Sequence, residues 1–268
     1  MRLRTKKSGF SLTELIVVMS IIGVLAGIGL PAVKQVIKSF ESSDRVKDVV
    51  AAAMSNARAR ALARGKYTGI RFQRNAEGDQ YMVFIEHDEN VGPGISGNAG
   101  FRAVKGRNPI RLPKRGAMVD MRLKTDYVVP LPHTTEISLI PSQSPPALTD
   151  ADRNFYLTKE NVLRDLQTFS VIFSKEGKLV LRTLKVSYAT DNGVDVGRDI
   201  FDTDGAAMFT HDGNGNPIEG LQIESSRNHF VIIDKNLFNA APSTGRWTSY
   251  LQSLKPFYAN PYTGELIH

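Results

Sequence analysis

The 268-residue sequence contains no cysteine. Disulfide bonds, thiolate nucleophiles and cysteine-based zinc sites are therefore excluded, although a chain of this size can bury a stable core without cross-links. Acidic residues are missing from positions 1–9, which carry four basic residues, and the formal net charge of +7 falls by four to +3 without them. Because the excess charge is local, it gives little support for phosphate contacts, and we expect no nucleic-acid partner.

The sequence also lacks the common catalytic and cofactor-binding signatures. It contains no P-loop, no nucleophile elbow, no dinucleotide-binding glycine motif and no paired histidines at zinc-binding spacing. We therefore expect no cofactor, and we predict that the chain is not an enzyme. Five scattered histidines are interpreted as surface or turn residues: His87, His133, His211, His229 and His268.

One cluster of oxygen-bearing side chains is a weak match to a calcium-binding loop. Asp212, Asn214 and Asn216 alternate as at the start of such a loop, and Asp202 and Asp204 precede them. The match ends where the loop needs a glycine, because the sequence has a proline there. Asp, Asn and Gly are also the residues that turns require, so the cluster is interpreted as turns, with these residues kept as secondary candidates for Ca²⁺.

Charged side chains are absent from residues 15–33 as well. A helix of that length, at about 1.5 Å per residue, nearly matches the ~30 Å hydrocarbon layer of a bilayer. Because short basic flanks stay in the cytoplasm, the basic segment before it predicts a cytoplasmic N-terminus and an exported C-terminal part. The sequence therefore predicts a single-pass protein of the inner (cytoplasmic) membrane.

Two plainer interpretations of this N-terminal segment compete with that prediction. A secretory signal peptide has a similar basic start, but its apolar core is usually shorter and ends in an A-x-A-like cleavage site. An ordinary membrane anchor would explain the length and orientation, but it would not require Glu14 at the edge of the apolar run. A carboxylate at membrane depth costs about 2.5 kcal/mol or more, so Glu14 needs a partner.

The residues around Glu14 follow a specific order. A basic leader ends in Gly9, Phe10 follows, Glu14 is the fifth residue after the junction, and the uncharged run continues past Pro31. This order resembles the prepilin signature of type IV pilins. The resemblance implies that a membrane aspartyl peptidase cleaves between Gly9 and Phe10 and methylates the amine of Phe10. It also implies that Glu14 pairs with that amine on a neighbouring subunit. Two buried opposite charges would then offset each other and fix the register of adjacent helices.

Helical periodicity continues beyond Pro31, which lacks an amide hydrogen and should bend the helix. Apolar residues recur at helical spacing as far as Ala61, and Gly65 suits a C-terminal cap. We therefore predict a helix from about Phe10 to Arg64. Three arginines are interpreted as its solvated face: Arg58, Arg60 and Arg64.

After Gly65 the apolar periodicity changes from 3.6 to 2, which indicates β-strands. Tyr67–Gln73 and Gln80–Glu86 are predicted to form a hairpin, residues 90–100 and 141–152 surface loops, and Lys159–Leu166 a short helix. The aromatic tail from Trp247 is predicted to pack on the domain. Further strands are predicted at Ala117–Leu123, Glu136–Ile140, Phe169–Ser174, Lys178–Leu184, Ala206–Thr210, Leu221–Ser225 and Phe230–Asp234.

The predicted fold class is α+β and pilin-like, with a long N-terminal helix, membrane-spanning in its first half, packed on an antiparallel β-rich domain. Four segments follow from this prediction: a leader removed from residues 1–9, a transmembrane or filament-core helix at 10–33, its amphipathic second half at 34–65, and a β-rich domain at 66–268.

Short segments of the C-terminal part resemble the H-type minor pseudopilins of type II secretion and their fimbrial relatives: 57–65, 110–119, 209–213, 243–246 and 262–265. The resemblance implies a structural pseudopilus subunit, whose partners are other pilins or pseudopilins, the prepilin peptidase and methyltransferase, and the inner membrane. One alternative is a minor type IV pilin in adhesion, motility or DNA uptake. A second is a membrane-anchored binding or hydrolytic domain with a pilin-like export signal.

Overall fold

The computed structural model describes residues 12–13, 15–22, 43–75, 77–89, 100–124, 136–139, 148–181, 183–188, 210–211, 217–218 and 220–267. The chain divides into two units, residues 1–41 and residues 42–268. The described residues of the first unit, 12–13 and 15–22, are helical.

The second unit is α+β, as predicted. Its described helices are α1 (Ser43–Arg64), α2 (Asp150–Tyr156), α3 (Glu160–Leu166) and α4 (Lys235–Ala240), with a π-helical turn at Arg246–Tyr250 and a 3₁₀ turn at Leu251–Ser253. Its described strands are β1 (Thr68–Arg74), β2 (Gln80–Asp88), β3 (Gly100–Ala103), β4 (Ile110–Arg111), β5 (Gly116–Val119), β6 (Arg122–Lys124), β7 (Glu136–Ser138), β8 (Phe169–Phe173), β9 (Leu179–Val180), β10 (Thr183–Tyr188), β11 (Thr210–His211), β12 (Pro217–Ile218), β13 (Gly220–Ser225), β14 (His229–Asp234), β15 (Phe257–Ala259) and β16 (Leu266–Ile267).

Helix α1 packs on the sheets through a continuous apolar stripe. Its buried side chains recur every three or four residues, which places them on one face: Val46, Val50, Ala53, Met54, Ala57 and Ala61. The helix ends at Arg64, and Gly65 adopts φ +61°, the left-handed conformation that glycine allows at a helix C-terminus. Both the stripe and the cap confirm the prediction, whereas continuity of the helix back to Phe10 falls on residues outside the described ones.

The larger sheet has the strand order β13-β10-β3-β2-β1-β8-β9, with β4 beside β2, and it is antiparallel except between β3 and β10. The predicted hairpin β1–β2 is confirmed, with Thr68 opposite Glu86 and Arg74 opposite Gln80. Alternate side chains face α1, and the rings of Phe72 and Phe169 stack in the core, where the ring of Phe230 from β14 also stacks on Phe169.

The face of this sheet that points away from α1 is also enclosed, because the two ends of the sheet approach each other. Ser226, just after β13, bridges Ser170 of β8, and the Arg227 amide donates to the Ser170 carbonyl at 2.7 Å. Strands β13-β10-β3-β2-β1-β8 are therefore linked into a ring. Five apolar side chains form a separate core on this face: Val83, Ile85, Phe101, Ala103 and Ile172.

A second sheet, ordered β16-β15-β14-β5, lies beside the first. The backbone of Met118 in β5 pairs with the side chain of Gln80, which accepts from the amide at 2.7 Å and donates to the carbonyl at 2.8 Å. The side-chain amide of Gln80 therefore satisfies the backbone N–H and C=O of Met118, which would otherwise be buried without a partner. The face of β5 and β14 that points away from α1 packs against helices α2–α4 and against Trp247, and these contacts form a second core.

Two of the predicted strands are interrupted where the pairing partner changes. Ala117–Leu123 divides at Asp120, whose amide donates to the Leu166 carbonyl instead of continuing the β14 ladder. Lys178–Leu184 divides likewise, because β9 pairs with β8 whereas β10 pairs with β13.

The prediction of a surface loop at 141–152 is wrong for its last three residues, because helix α2 begins at Asp150. Thr149 caps this helix by accepting from the Asp152 amide, while Asp152 accepts from the Thr149 amide. The hydrogen bonds that Asp152 accepts from the Thr149 hydroxyl and backbone lower the pKa of its carboxyl below the ordinary value.

The C-terminal tail packs on the domain, as predicted. Trp247 and Leu251 are buried in the second core, and the Leu179 amide of β9 donates to the carbonyl of Pro261 in the tail at 2.7 Å. Gly264 closes a turn in this tail, where its amide donates to the Asn260 carbonyl at 2.8 Å; it has φ +72° and lies against the ring of Phe173.

Replacing Gly264 by alanine is expected to cost more stability than replacing Gly106. Both glycines have φ near +70°, so each alanine introduces similar backbone strain, about 1 kcal/mol. A Cβ at Gly264 would lie 2.9 Å from Phe173 Cε1, whereas a Cβ at Gly106 would meet nothing within 4 Å. The overlap should add a further ~1–3 kcal/mol, measured by urea unfolding of both variants. Equal losses would contradict the packing of the tail on Phe173.

Candidate functional site

The residues predicted to be processed or to drive assembly are Gly9, Phe10, Glu14 and Pro31, and all four lie outside the described residues. The calcium candidates Asp202, Asp204, Asp212, Asn214 and Asn216 lie outside them too. Among the residues that the structure does describe, no group of three histidine or acidic side chains is placed to hold a metal ion. These predictions therefore stay predictions.

The helical residues between Leu12 and Ile22 expose their apolar side chains. Eight large side chains are each 48–76% exposed: Leu12, Leu15, Ile16, Val17, Val18, Met19, Ile21 and Ile22. The hydroxyl of Ser20 donates to the Ile16 carbonyl at 2.8 Å, so the polar group is satisfied within the helix. A helix that is apolar on all sides is stable only when lipid or other chains cover it. This segment is therefore the candidate interaction site of the chain.

The described part of this segment is shorter than a bilayer is thick. None of the helices in the described ranges is both long enough and apolar enough to cross a membrane. The predicted span at 10–33 extends on both sides beyond the described residues.

Three arginines of α1 contact the sheet, and the prediction of a solvated face holds for the exposed Arg64 but is wrong for Arg58 and Arg60, which are half-buried. Arg60 Nη2 and Arg64 Nη1 lie 3.1 and 3.2 Å from Glu86 Oε2 on β2. Arg58 Nε donates to the Gly177 carbonyl at 2.9 Å, in the turn between β8 and β9. Pairs at this degree of exposure contribute up to about 1 kcal/mol each, so they position the end of the helix more than they stabilise the fold.

An ion pair crosses the interior of the ring of strands. Arg71 of β1 is fully buried, and its Nη2 lies 2.8 Å from Glu224 Oε1 of β13. Gln73 accepts a hydrogen bond from Arg71, and Ser170 donates to Glu224 Oε2 at 3.3 Å. The sequence pattern does not predict this network, because Arg71 and Gln73 alternate with apolar residues in the way that an outward-facing row of side chains would. Only the return of β13 across that face encloses them.

A basic cluster surrounds the turn between β1 and β2. Lys235 Nζ donates to the Gly78 carbonyl at 2.7 Å. Burial lowers the pKa of Lys235 to about 8, with Arg74 and Arg111 lowering it further and Asp79 opposing them. The hydrogen bond fixes the amine against the turn, so this lysine holds α4 to the hairpin.

The interpretation of the histidines as surface or turn residues is wrong for His229. It starts strand β14, is buried, and stacks on Tyr258 with ring centroids 5.9 Å apart. The unbroken run of four apolar residues that follows, Phe230–Ile233, is the sequence signal for its place in a buried strand.

Comparison with protein families identifies the N-terminal segment. Residues 4–30 match the model of the prokaryotic N-terminal methylation motif. The chain therefore carries the prepilin-type signal of type IV pilins and pseudopilins, which confirms that resemblance. The motif is typical of a membrane-anchored N-terminus with an exported C-terminal domain. Neither the search of curated proteins nor the search of solved structures finds a protein that matches this chain.

Proposed function

We propose that the chain is a non-enzymatic structural subunit of a type IV pilin-like filament, specifically a minor pseudopilin of a type II secretion pseudopilus. The observation that carries the proposal is the methylation motif at 4–30, which includes the helical segment with eight exposed apolar side chains. In this function the peptidase removes residues 1–9 and methylates Phe10. The apolar helix then leaves the lipid and packs among the helices of other subunits, with the β-rich unit outside.

The energetics of the exposed segment support this function. Complete burial of one large apolar side chain contributes about 1.5–3 kcal/mol, so covering eight of them is a strong driving force for insertion in lipid or packing in a filament. Moving a helix from lipid to a filament exchanges one apolar environment for another, so apolar burial alone does not favour the filament over the membrane. The pairing of Glu14 with a Phe10 amine favours the filament, because it removes the cost of each isolated charge.

A minor type IV pilin is the second candidate, since it shares the same motif and the same processing. The segments that resemble H-type pseudopilins favour the first candidate: residues 57–65 form the end of α1, residues 110–119 include β4 and β5, and residues 262–265 form the tail turn. Deleting the gene distinguishes the two: loss of protein secretion supports the pseudopilin, and loss of adhesion or motility supports the pilin.

Changing Glu14 to alanine is expected to leave cleavage intact and to impair assembly. The peptidase needs the Gly9-Phe10 junction, whereas the filament needs the carboxylate that neutralises the neighbouring amine. The measurement is the amount of processed chain in the sheared filament fraction relative to the membrane fraction. Glu176→Ala is the matched control, because it removes the same charge from an exposed turn between β8 and β9. Normal assembly of the Glu14→Ala chain would contradict the proposed function.

A further inference from the structure

The amine of Lys235 is held at the turn between β1 and β2. Its Nζ donates to the Gly78 carbonyl at 2.7 Å, and the residue is half-buried at the start of α4. The guanidinium of Arg74 lies against the same glycine, because a Cβ placed on Gly78 would be 3.1 Å from Arg74 Nη2 and 3.6 Å from Arg74 Nε. The amine and the guanidinium therefore surround a single residue of the turn.

Arg74 has donors that its salt bridge does not use. Its Nη2 lies 2.8 Å from Glu160 Oε1, whereas its Nε and Nη1 are buried and have no hydrogen-bond partner in the part of the chain that the structure describes. Asp79, whose charge also acts on Lys235, already accepts from Nη2 of Arg111. A buried N–H group without an acceptor is costly, so this site favours a modification that brings a negatively charged acceptor.

The surroundings also keep much of the Lys235 amine neutral. The pKa of Lys235 is lowered from 10.5 to about 8, first by burial and then by the charges of Arg74 and Arg111, with Asp79 opposing them. A neutral amine has the lone pair that attacks an electrophilic carbon, whereas an ammonium group does not. At about pH 8 roughly half of this amine is therefore nucleophilic, against less than about 1% of an ordinary lysine.

We propose that Lys235 is a carboxylation site, where the amine reacts with carbon dioxide to form a carbamate. The lone pair of the neutral amine forms the N–C bond, one electron pair of a C=O bond moves to oxygen, and the nitrogen releases a proton to water. The product is an anion that keeps an N–H for the Gly78 carbonyl and offers carboxylate oxygens to Nε and Nη1 of Arg74. Acylation would give a neutral amide instead, which brings no negative charge to these donors. This inference is independent of filament assembly.

The test uses the full-length chain in detergent at about pH 8, with isotopically labelled bicarbonate as the source of carbon dioxide. A trialkyloxonium salt converts each carbamate to a stable alkyl carbamate, which is located by digestion and mass spectrometry. We expect Lys235 to carry at least about tenfold more label than Lys175, because much more of its amine is neutral. Lys175 is the matched lysine, since its side chain is 62% exposed in the turn between β8 and β9. A peptide with a free α-amine, which titrates near pH 8, is added to show that trapping has worked.

Arg74→Gln should lower the label on Lys235 about fivefold or more, because it removes donors from the carbamate and a positive charge that favours the neutral amine. Arg64→Gln is the control, since it removes the same charge from the pair with Glu86, at the other end of the hairpin. Circular dichroism checks that both variants fold.

The proposal is overturned if the peptide is labelled and Lys235 carries no more label than Lys175. This comparison uses the parent chain, so it decides the question even if Arg74→Gln does not fold. The proposal is equally overturned if the folded Arg74→Gln chain carries as much label on Lys235 as the Arg64→Gln chain does.

Discussion

Replacing Arg71 by methionine is expected to lower the free energy of unfolding by about 3–5 kcal/mol, because it leaves Glu224 as an uncompensated buried charge. Arg71 is fully buried, and it donates to Glu224 through both Nε and Nη2. Methionine fills much of the volume of the arginine stem, so the loss reflects the charge more than a cavity. Urea unfolding, followed by the fluorescence of the single tryptophan, Trp247, gives the difference.

Two further variants separate the ion pair from general damage to the core. The double variant Arg71→Met with Glu224→Leu should recover most of the loss, because replacing both members of a buried pair by apolar residues is often neutral. Arg64→Met, which breaks an exposed pair with Glu86, should cost about 1 kcal/mol or less. If Arg71→Met costs no more than Arg64→Met, the buried pair does not hold β1 and β13 together.

Replacing Gly9 by leucine is expected to abolish processing, so that the chain keeps residues 1–9. The resemblance to prepilins implies that the junction follows a small residue, Gly9, and a bulky side chain there should not fit the peptidase. Intact mass measured on the membrane fraction distinguishes the cut chain from the uncut one. An uncut chain keeps Glu14 without the amine that we expect to neutralise it, so it should also be missing from filaments.

Thr5→Leu is the control for the effect of added bulk, because it lies in the same leader four residues before Gly9. This variant should be cut as the parent chain is. Cleavage of the Gly9→Leu chain after residue 9, at the rate of the parent, would contradict the assignment of the junction.

Local signals predicted much of the fold. The end of α1 was predicted because Gly65 is a C-terminal cap after a periodic helix, and the hairpin β1–β2 because the alternating pattern breaks at turn-forming residues. The tail was predicted to pack because its aromatic residues need burial, and Trp247 is indeed buried. Helix α2 also has a local signal, the capping pair Thr149 and Asp152, but the prolines that precede it favoured a loop.

The features that the sequence did not predict depend on contacts between distant segments. The strand predicted at Ala117–Leu123 is interrupted at Asp120 because the backbone there bonds to Leu166 instead of β14. The alternation of side chains does not change at that point, so it does not predict the interruption. Arg71 and Glu224 are 153 residues apart, so their pairing depends on the ring of strands and not on any local pattern.

The central claim is that the apolar helix begins with a newly made amino terminus. N-terminal sequencing with mass spectrometry of the mature chain, isolated from its native membrane, tests this claim most directly. We expect the chain to start at N-methylated Phe10, with Glu14 as its fifth residue. A mature chain that starts at Met1 or Arg2 would contradict it.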